Sequence, residues 1–490
     1  MIDDRLPVLV GVGQTVHHAA GITDAWEPAD LMAESVLRAS ADAGLGAVPA
    51  PDALRVVSLF SWRYGNPAKV VARRLGVEAR HYGYGTVGGN SPQSMLNATA
   101  AAIQRSDLDV AILTGAEAWR TRMRAKRDEV VLDWEKDDSE PEVIGEELDM
   151  NMPAEIERGI VMPVQVYPMF ETAIRAEAGH TVEQHRRHIS ELWAAMSRVA
   201  AGNEFAWSRE DFTAEQLATP SDDNRMIGLP YPKRLNSNND VDMGAALIVC
   251  SARAARRLGV PTDRWVFLHA GSESHEHPYV SHRWEFSRTP AIEIGGQRAL
   301  DLAGAGIDDI ALIDLYSCFP SATQLGARSL RIGLDRPLTL TGGMAFAGGP
   351  WNNYVMHAIA TMVSRLRERL GELGLVWGNG GYVTKHSFGV YGNEPPAGGF
   401  RLGLPQAEID ALPRRALATP AEAAGAATVE AYTVMFDRAQ QPELAIASCL
   451  LADGRRAWAT STAADVSAAM TDGEWVGAEV SLASDAVLHV

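Results

Sequence analysis

Two adjacent glycines, Gly88 and Gly89, precede Asn90, Ser91 and a small, apolar stretch that runs from Gln93 to Arg105. Glycine lets a backbone turn sharply at little steric cost. A helix that starts there aims unsatisfied N–H groups and a partial positive charge into the turn. Such a place can hold a thiolate, an oxyanion or a phosphate, or it can be a structural turn feeding a packed helix. The turn brings no nucleophile of its own, because Ser91 reads as the N-cap, with Pro92 at the first helical position. Other reactive side chains lie far along the chain. Tyr316-Ser317-Cys318-Phe319 follows the strand-like run Ile310–Leu315, and Tyr382, Lys385 and His386 flank a third glycine turn within Gly374–Gly392. Arg120, Arg122, Arg124, Lys126 and Arg127 crowd together and form the local candidate for binding phosphates.

No metal site is expected. His269, His275, His277 and His282, with Glu273 and Glu276, match no zinc spacing and read as a polar loop. His185 and His188 read as surface residues of a helix. The GVGQT after the first strand is an incomplete dinucleotide fingerprint, which argues against a nicotinamide site.

The elements that position these groups alternate between strand and helix, the pattern of an α/β protein. Pro7–Gly13, Leu54–Phe60 and Asp109–Thr114 read as strands, and the stretches after Pro28 and Ala68 as helices. Thr181 and Gln184 form a capping-box pattern ahead of a helix through Ala200. Trp119–Asp240 breaks the alternation and reads as an insertion. From about Ala407 the pattern becomes short strands with turns such as Asp453-Gly454, a small all-β domain. A weak internal echo places Gly88, Gly89 and Ala98 over Gly348, Gly349 and Ala358, which suggests two similarly built halves.

The chain has 490 residues, 46% hydrophobic and 22% charged, with net charge −18. That balance argues against sequence-independent binding of nucleic acid. Three scattered cysteines form no disulfide or zinc pattern, and no apolar run is long enough to span a bilayer. The N-terminus lacks the regions of a signal peptide, so the expected location is cytoplasmic.

The order of glycine turns from Pro7 to Gly392 resembles the thiolase superfamily, closest to the sterol-carrier-protein-thiolase branch. LTLTGGMAFAGGPWNNYVMHAIA and GNGGYVTKHSFGVYG look like the type 1 thiolase-like proteins, often labelled acetyl-CoA acetyltransferase. The resemblance implies a five-layered α-β-α-β-α fold of duplicated halves, an inserted loop domain that contacts coenzyme A, and an extra C-terminal β domain of OB type. The implied boundaries are 1–118 with 241–262, 119–240, 263–404 and 405–490. It also implies a monomer whose partner is a small-molecule acyl-CoA, with coenzyme A as ligand or co-substrate and no covalently bound cofactor.

Matched to the family's four reactive elements, this chain has lost the acyl-transfer machinery. Gly89 stands at the nucleophilic cysteine, Gly349 at the histidine of the GHP motif and Gly378 at the acid/base cysteine. Tyr316 replaces the oxyanion-hole Asn or His. Covalent acyl transfer needs a thiolate with a base beside it, and neither is in place. The expected site is therefore Tyr316, Tyr382 and His386 for any chemistry, with Arg120, Arg122, Arg124, Gly88, Gly89 and Gly348 holding ligand. Two readings stay open: non-thiolytic acyl-CoA chemistry, with carbon–carbon cleavage or formation among its candidates, or a non-catalytic acyl-CoA-binding protein of lipid metabolism. A third, an active acyltransferase using a displaced residue, ranks below both.

Overall fold

The computed structural model describes residues 2–490. Its first half contains β1 (Pro7–Val16), α1 (Pro28–Asp42), β2 (Ala53–Val56), β3 (His81–Gly85), α2 (Ser91–Gln104), β4 (Val110–Ala118) and β5 (Asp242–Ser251). The second half repeats the plan with β6 (Val266–His275), α3 (Pro290–Ala303), β7 (Ile310–Leu315), α4 (Tyr354–Arg367), β8 (Leu373–Gly380) and β9 (Lys385–Gly392). In the first half the strands lie in the order β1-β5-β4-β2-β3, in the second β6-β9-β8-β7. In both, the half's first strand neighbours its last, antiparallel. This shared order is the duplication, seen as topology. Two residues of β1 pair with β6 and join the halves into one continuous sheet system.

Helices α2 and α4 touch each other and strands of both halves, so they form the middle layer, while α1 and α3 cover the outer faces. That makes five layers. The central helices are apolar nearly all round because both sides meet a sheet. Strand β5, buried along its whole length, reads as an unbroken apolar run for the same reason.

Several local expectations need correction. Ser91 is the first helical residue, not the cap; Asn90 takes the N-cap position and neither side chain caps the helix. The third glycine stretch forms a hairpin, with β8 and β9 antiparallel. His269, Glu273 and His275 lie on β6, not in a loop. His185 is buried and its Nε2 lies 2.5 Å from Glu171, which also accepts from Tyr231 and Gln324. A lone buried carboxylate needs such partners, and helical periodicity alone did not reveal them.

Residues 119–241 run between the neighbouring strands β4 and β5 and carry the helices Pro163–Ala178 and Val182–Ala201. The tail contains β10 (Gly425–Phe436), β11 (Pro442–Leu450), β12 (Arg456–Ser461), β13 (Glu479–Leu482) and β14 (Leu488–His489). β10 pairs with β11 and β13, β11 with β12, and β13 with β14, while a parallel bridge from Thr460 to Val487 closes the circle. A closed five-strand circuit of this order has OB-type topology. The tail is not all β, because the helix Ala464–Asp472 lies between its third and fourth strands.

Candidate functional site

Strand ends and helix starts converge where the halves meet. Gly88 has φ of 150°, a conformation that glycine adopts freely, and its N–H donates to Asn352 Oδ1 at 3.0 Å. Asn352 in turn donates to the carbonyl of Ser58 at 2.9 Å. The glycine turn of one half is therefore held by the corresponding turn of the other. Lys385 adds a bond from Nζ to the carbonyl of Val87. Among the described residues no protein acceptor takes the Gly89 amide, which sits at the start of α2.

Tyr316 follows β7 and crosses to this turn from the second half. A Cβ built on Gly89 would run into the Tyr316 hydroxyl and would lie 2.6 Å from the Asn379 carbonyl oxygen. The phenol thus fills the space that a side chain at Gly89 would need. At Gly349 an added Cβ would strike Ser237 Oγ, and at Gly378 it would lie 3.0 Å from Asn90 Cα. None of the three glycines has room for a reactive side chain without rearrangement.

Tyr316, Gly88, Gly89, Cys318, Asn379 and Gly380 line an inner cavity of about 270 Å³. Its other walls are largely apolar, including Met150, Val164, Phe319 and Met344. Burial, reinforced by Cys318 and Tyr354 nearby, pushes the Tyr316 phenol well above its usual range. At neutral pH it keeps its proton, so it is available as a hydrogen-bond donor and not as a base. Burial likewise pushes the Cys318 thiol up to about 12, which leaves it inert.

Met162, Pro163 and Trp351 also line an outer cavity of about 850 Å³. Arg63, Arg122, Lys126 and Lys136 face it, and no carboxylate does. Indole rings alternate with these cations: Arg122 lies 5.2 Å from the Trp119 ring centre and Lys136 5.6 Å from that of Trp62. Trp351 stands at the junction with φ of 46°, a left-handed conformation that is costly for a bulky residue. It packs edge-on against Phe60 and Trp119. Strain of this kind concentrates at ligand sites.

The structure brings together only some of the expected residues. Tyr316, Gly88 and Gly89 meet in the inner cavity, and Arg122 reaches the outer one. Arg120 pairs instead with Asp240 at 2.6 Å, and Arg124 donates to the carbonyl of Ala19 at 2.9 Å. Gly348 packs against Met243 and Trp207, outside the residues lining the cavity. Tyr382 is spent on structure, donating to the Val161 carbonyl at 2.7 Å. His386 faces a separate cavity of about 320 Å³ behind the turn, with Glu273, His275 and Lys385. Burial, with Arg283 and His275 nearby, holds its imidazole well below the usual range, and both ring nitrogens lack a partner.

Sequence reading missed Trp351, Asn379 and the cations Arg63 and Lys136. Trp351 follows Gly348-Gly349-Pro350 directly and Asn379 is the middle residue of Gly378-Asn379-Gly380, so both stood beside motifs already singled out. Nothing local marked Arg63 or Lys136, which only the fold brings to the outer cavity.

Residues 405–486 match the family model described as the thiolase-like protein type 1 additional C-terminal domain. The fold is similar to a monomeric SCP2-thiolase like protein type 1 from Mycobacterium smegmatis, with 30% identity, TM-score 0.85 and 100% of both chains covered. The Ltp2-ChsH2(DUF35) aldolase is similar at 20% identity and TM-score 0.61, over 79% of this chain and 98% of that one. An acetyl-CoA acetyltransferase from Syntrophomonas wolfei is similar at 15% identity and TM-score 0.57, over 80% of this chain and 100% of that one. No curated protein matches the chain by sequence.

Proposed function

We propose that this chain, which belongs to the type 1 SCP2-thiolase-like proteins, binds coenzyme A thioesters and polarises their carbonyl without forming an acyl-enzyme. The observation that carries the reading is the Tyr316 hydroxyl in the space over Gly89, beside an amide with no protein acceptor. A hydroxyl and a backbone N–H aimed at one oxygen make an oxyanion hole. The outer cavity suits the nucleotide end, with cations for phosphates and indoles for a base to stack on. Past Trp351 a pantetheine arm would lead the thioester to the glycine turn. Polarised there, the carbonyl favours reaction at the adjacent carbon, where carbon–carbon bonds are made or broken.

One observation favours the second reading, a non-catalytic acyl-CoA holder. The ionisable side chains lining the inner cavity are Tyr167, Tyr316 and Cys318, and burial pushes all three up. None takes a proton readily at neutral pH. Either way the protein acts on this reading as a cytoplasmic monomer in lipid metabolism, with coenzyme A as ligand and no bound prosthetic group.

The test pairs binding with chemistry. Calorimetry with butyryl-CoA should give binding in the micromolar-to-millimolar range, roughly −8 to −4 kcal/mol, weakening with added salt. Intact-mass measurement after incubation with acetyl-CoA should show no acyl adduct, and acetoacetyl-CoA should not be thiolysed. A stable adduct on Cys318, or no heat with any acyl-CoA, would overturn the reading.

A further inference from the structure

We propose that Lys385 is a carbonyl-capturing amine, whose Nζ forms an imine with a small uncharged aldehyde or ketone in the cavity behind the glycine turn. This site is separate from the inner cavity and does not depend on the thioester reading. The cavity, of about 320 Å³, is lined by Lys385 together with Glu146, Leu148, Glu273, His275 and Leu404. Lys385 opens β9 and pairs across the strands with His275 of β6, and Ser387, two places on, pairs with Glu273. Cross-strand partners, and residues two apart on a strand, share a face, so these four side chains project from one side of the sheet. That side meets the start of α2: Ser387 Oγ accepts from Asn90 at 3.2 Å, and Glu273 accepts from Asn97 at 2.6 Å.

Only five of the 44 Lys and Arg residues are lysines. The other four are exposed or half-buried, whereas Lys385 is 5% exposed. A chain that uses arginine for nearly all its cations keeps a lysine here. An amine can lose its proton and become a nucleophile, which a guanidinium cannot do. Buried ammonium groups are as a rule paired with a carboxylate. Nζ instead donates to the backbone carbonyl of Val87, its hydrogen-bond acceptor among the described residues. Burial holds its ammonium below the usual range, against the weaker pull of Glu147. Nζ also lies 3.1 Å from where a Cβ on Gly88 would stand, so any other residue there would crowd the amine.

The step balances without a further reagent. Neutral Nζ adds to the carbonyl carbon to give a carbinolamine, and the nitrogen lone pair then expels the hydroxyl as water, leaving the imine. The departing hydroxyl needs one proton. Glu273 lines the same cavity, and burial pushes its carboxyl up to about 7, so it holds such a proton at neutral pH. The protonated imine keeps one N–H, enough to go on donating to Val87. Glu146 and Glu273 disfavour a carboxylate or phosphate on the ligand, and Leu148 and Leu404 offer an apolar wall. The carbonyl compound is therefore small and uncharged.

Reductive trapping tests this on the whole protein. Propanal with sodium cyanoborohydride at neutral pH turns any imine into a stable propylamine, which peptide mapping by mass spectrometry locates. Lys385 should be modified about 10-fold faster than any other lysine, because exposed amines, with a pKa of about 10.4, stay protonated. Unfolding the protein in urea should erase that preference, and pyruvate should label Lys385 more slowly than propanal. Lys385→Arg, which keeps a donor for Val87, should lose the fast-forming adduct in the intact mass, with folding checked by circular dichroism. If that variant does not fold, mapping of the unaltered protein still decides. Modification confined to the other four lysines, or a preference that survives unfolding, overturns the proposal. Pyruvate labelling Lys385 as fast as propanal overturns the uncharged assignment.

Discussion

Tyr316 and Gly89 share one piece of space, and each explains the other. The phenol reaches the turn only because residue 89 has no Cβ. In sequence they are 227 positions apart, and only the resemblance to a family pattern put them in one site. From that pattern Gly89, Gly349 and Gly378 were expected at the acyl-transfer positions, with Tyr316 as a polar replacement. Its position over Gly89 was not, because side-chain trajectories between the halves leave no trace in local sequence. Tyr382 and His386 stood equally near a glycine turn, yet Tyr382, in the hairpin turn, is spent on a structural bond and His386, on β9, lines a separate cavity. If turnover is found with any acyl-CoA, Tyr316→Phe should lower it roughly 10²–10⁴-fold, as for a positioned proton donor, with affinity little changed. Steady-state kinetics checks this, and unchanged turnover would remove Tyr316 from the chemistry. Gly89→Cys should not restore thiolysis, since the new side chain meets Tyr316 and the site still lacks a base.

At the scale of elements, β7 both delivers Tyr316 and anchors the loop that follows. Asp314 on this strand accepts from Thr339 Oγ1, the amide of Leu340 and Tyr354 Oη, tying strand, loop and α4 together. Burial pushes its carboxyl up to about 6 from 3.8. The folded state therefore holds a proton that the unfolded chain has released, and this contribution to stability is complete below about pH 4 and lost as pH rises through about 6. Asp314→Asn lacks that loss. Thermal melts from pH 4 to 7 should show the variant gaining on the parent protein as pH rises; a constant gap would contradict the assignment. The alternation of strands and helices was readable because each is apolar with its own period. The exact start of α2 and the helix inside the tail were not, since short polar stretches carry weak signals.

For the whole molecule, the decisive contacts are long-range. The tail shares hydrogen bonds with the body: Tyr432 bonds Thr172, Trp458 donates to Ser281 Oγ, and Arg456, fully buried, donates to the carbonyls of Ser281 and Arg283. A tail that merely docked would not bury an arginine against the body. Ending the chain after Gly403 should leave an aggregating or molten core, seen as loss of a cooperative melt; a soluble, cooperatively folding fragment would contradict this. The edge of β3 is covered by the short strand Glu142–Ile144, which leaves less open edge for a second copy to pair with. Light scattering should accordingly give a monomer of 52.8 kDa. The central claim, however, concerns one oxygen atom. The most direct measurement is a crystal structure with an acyl-CoA analogue whose thioester sulfur is replaced by a nitrogen. The carbonyl oxygen should lie about 2.6–3.0 Å from Tyr316 Oη and about 3 Å from the Gly89 amide, with the nucleotide among Arg63, Arg122 and Lys126. An acyl carbonyl bound elsewhere, or the Tyr316 hydroxyl turned out of the cavity in the complex, would contradict it.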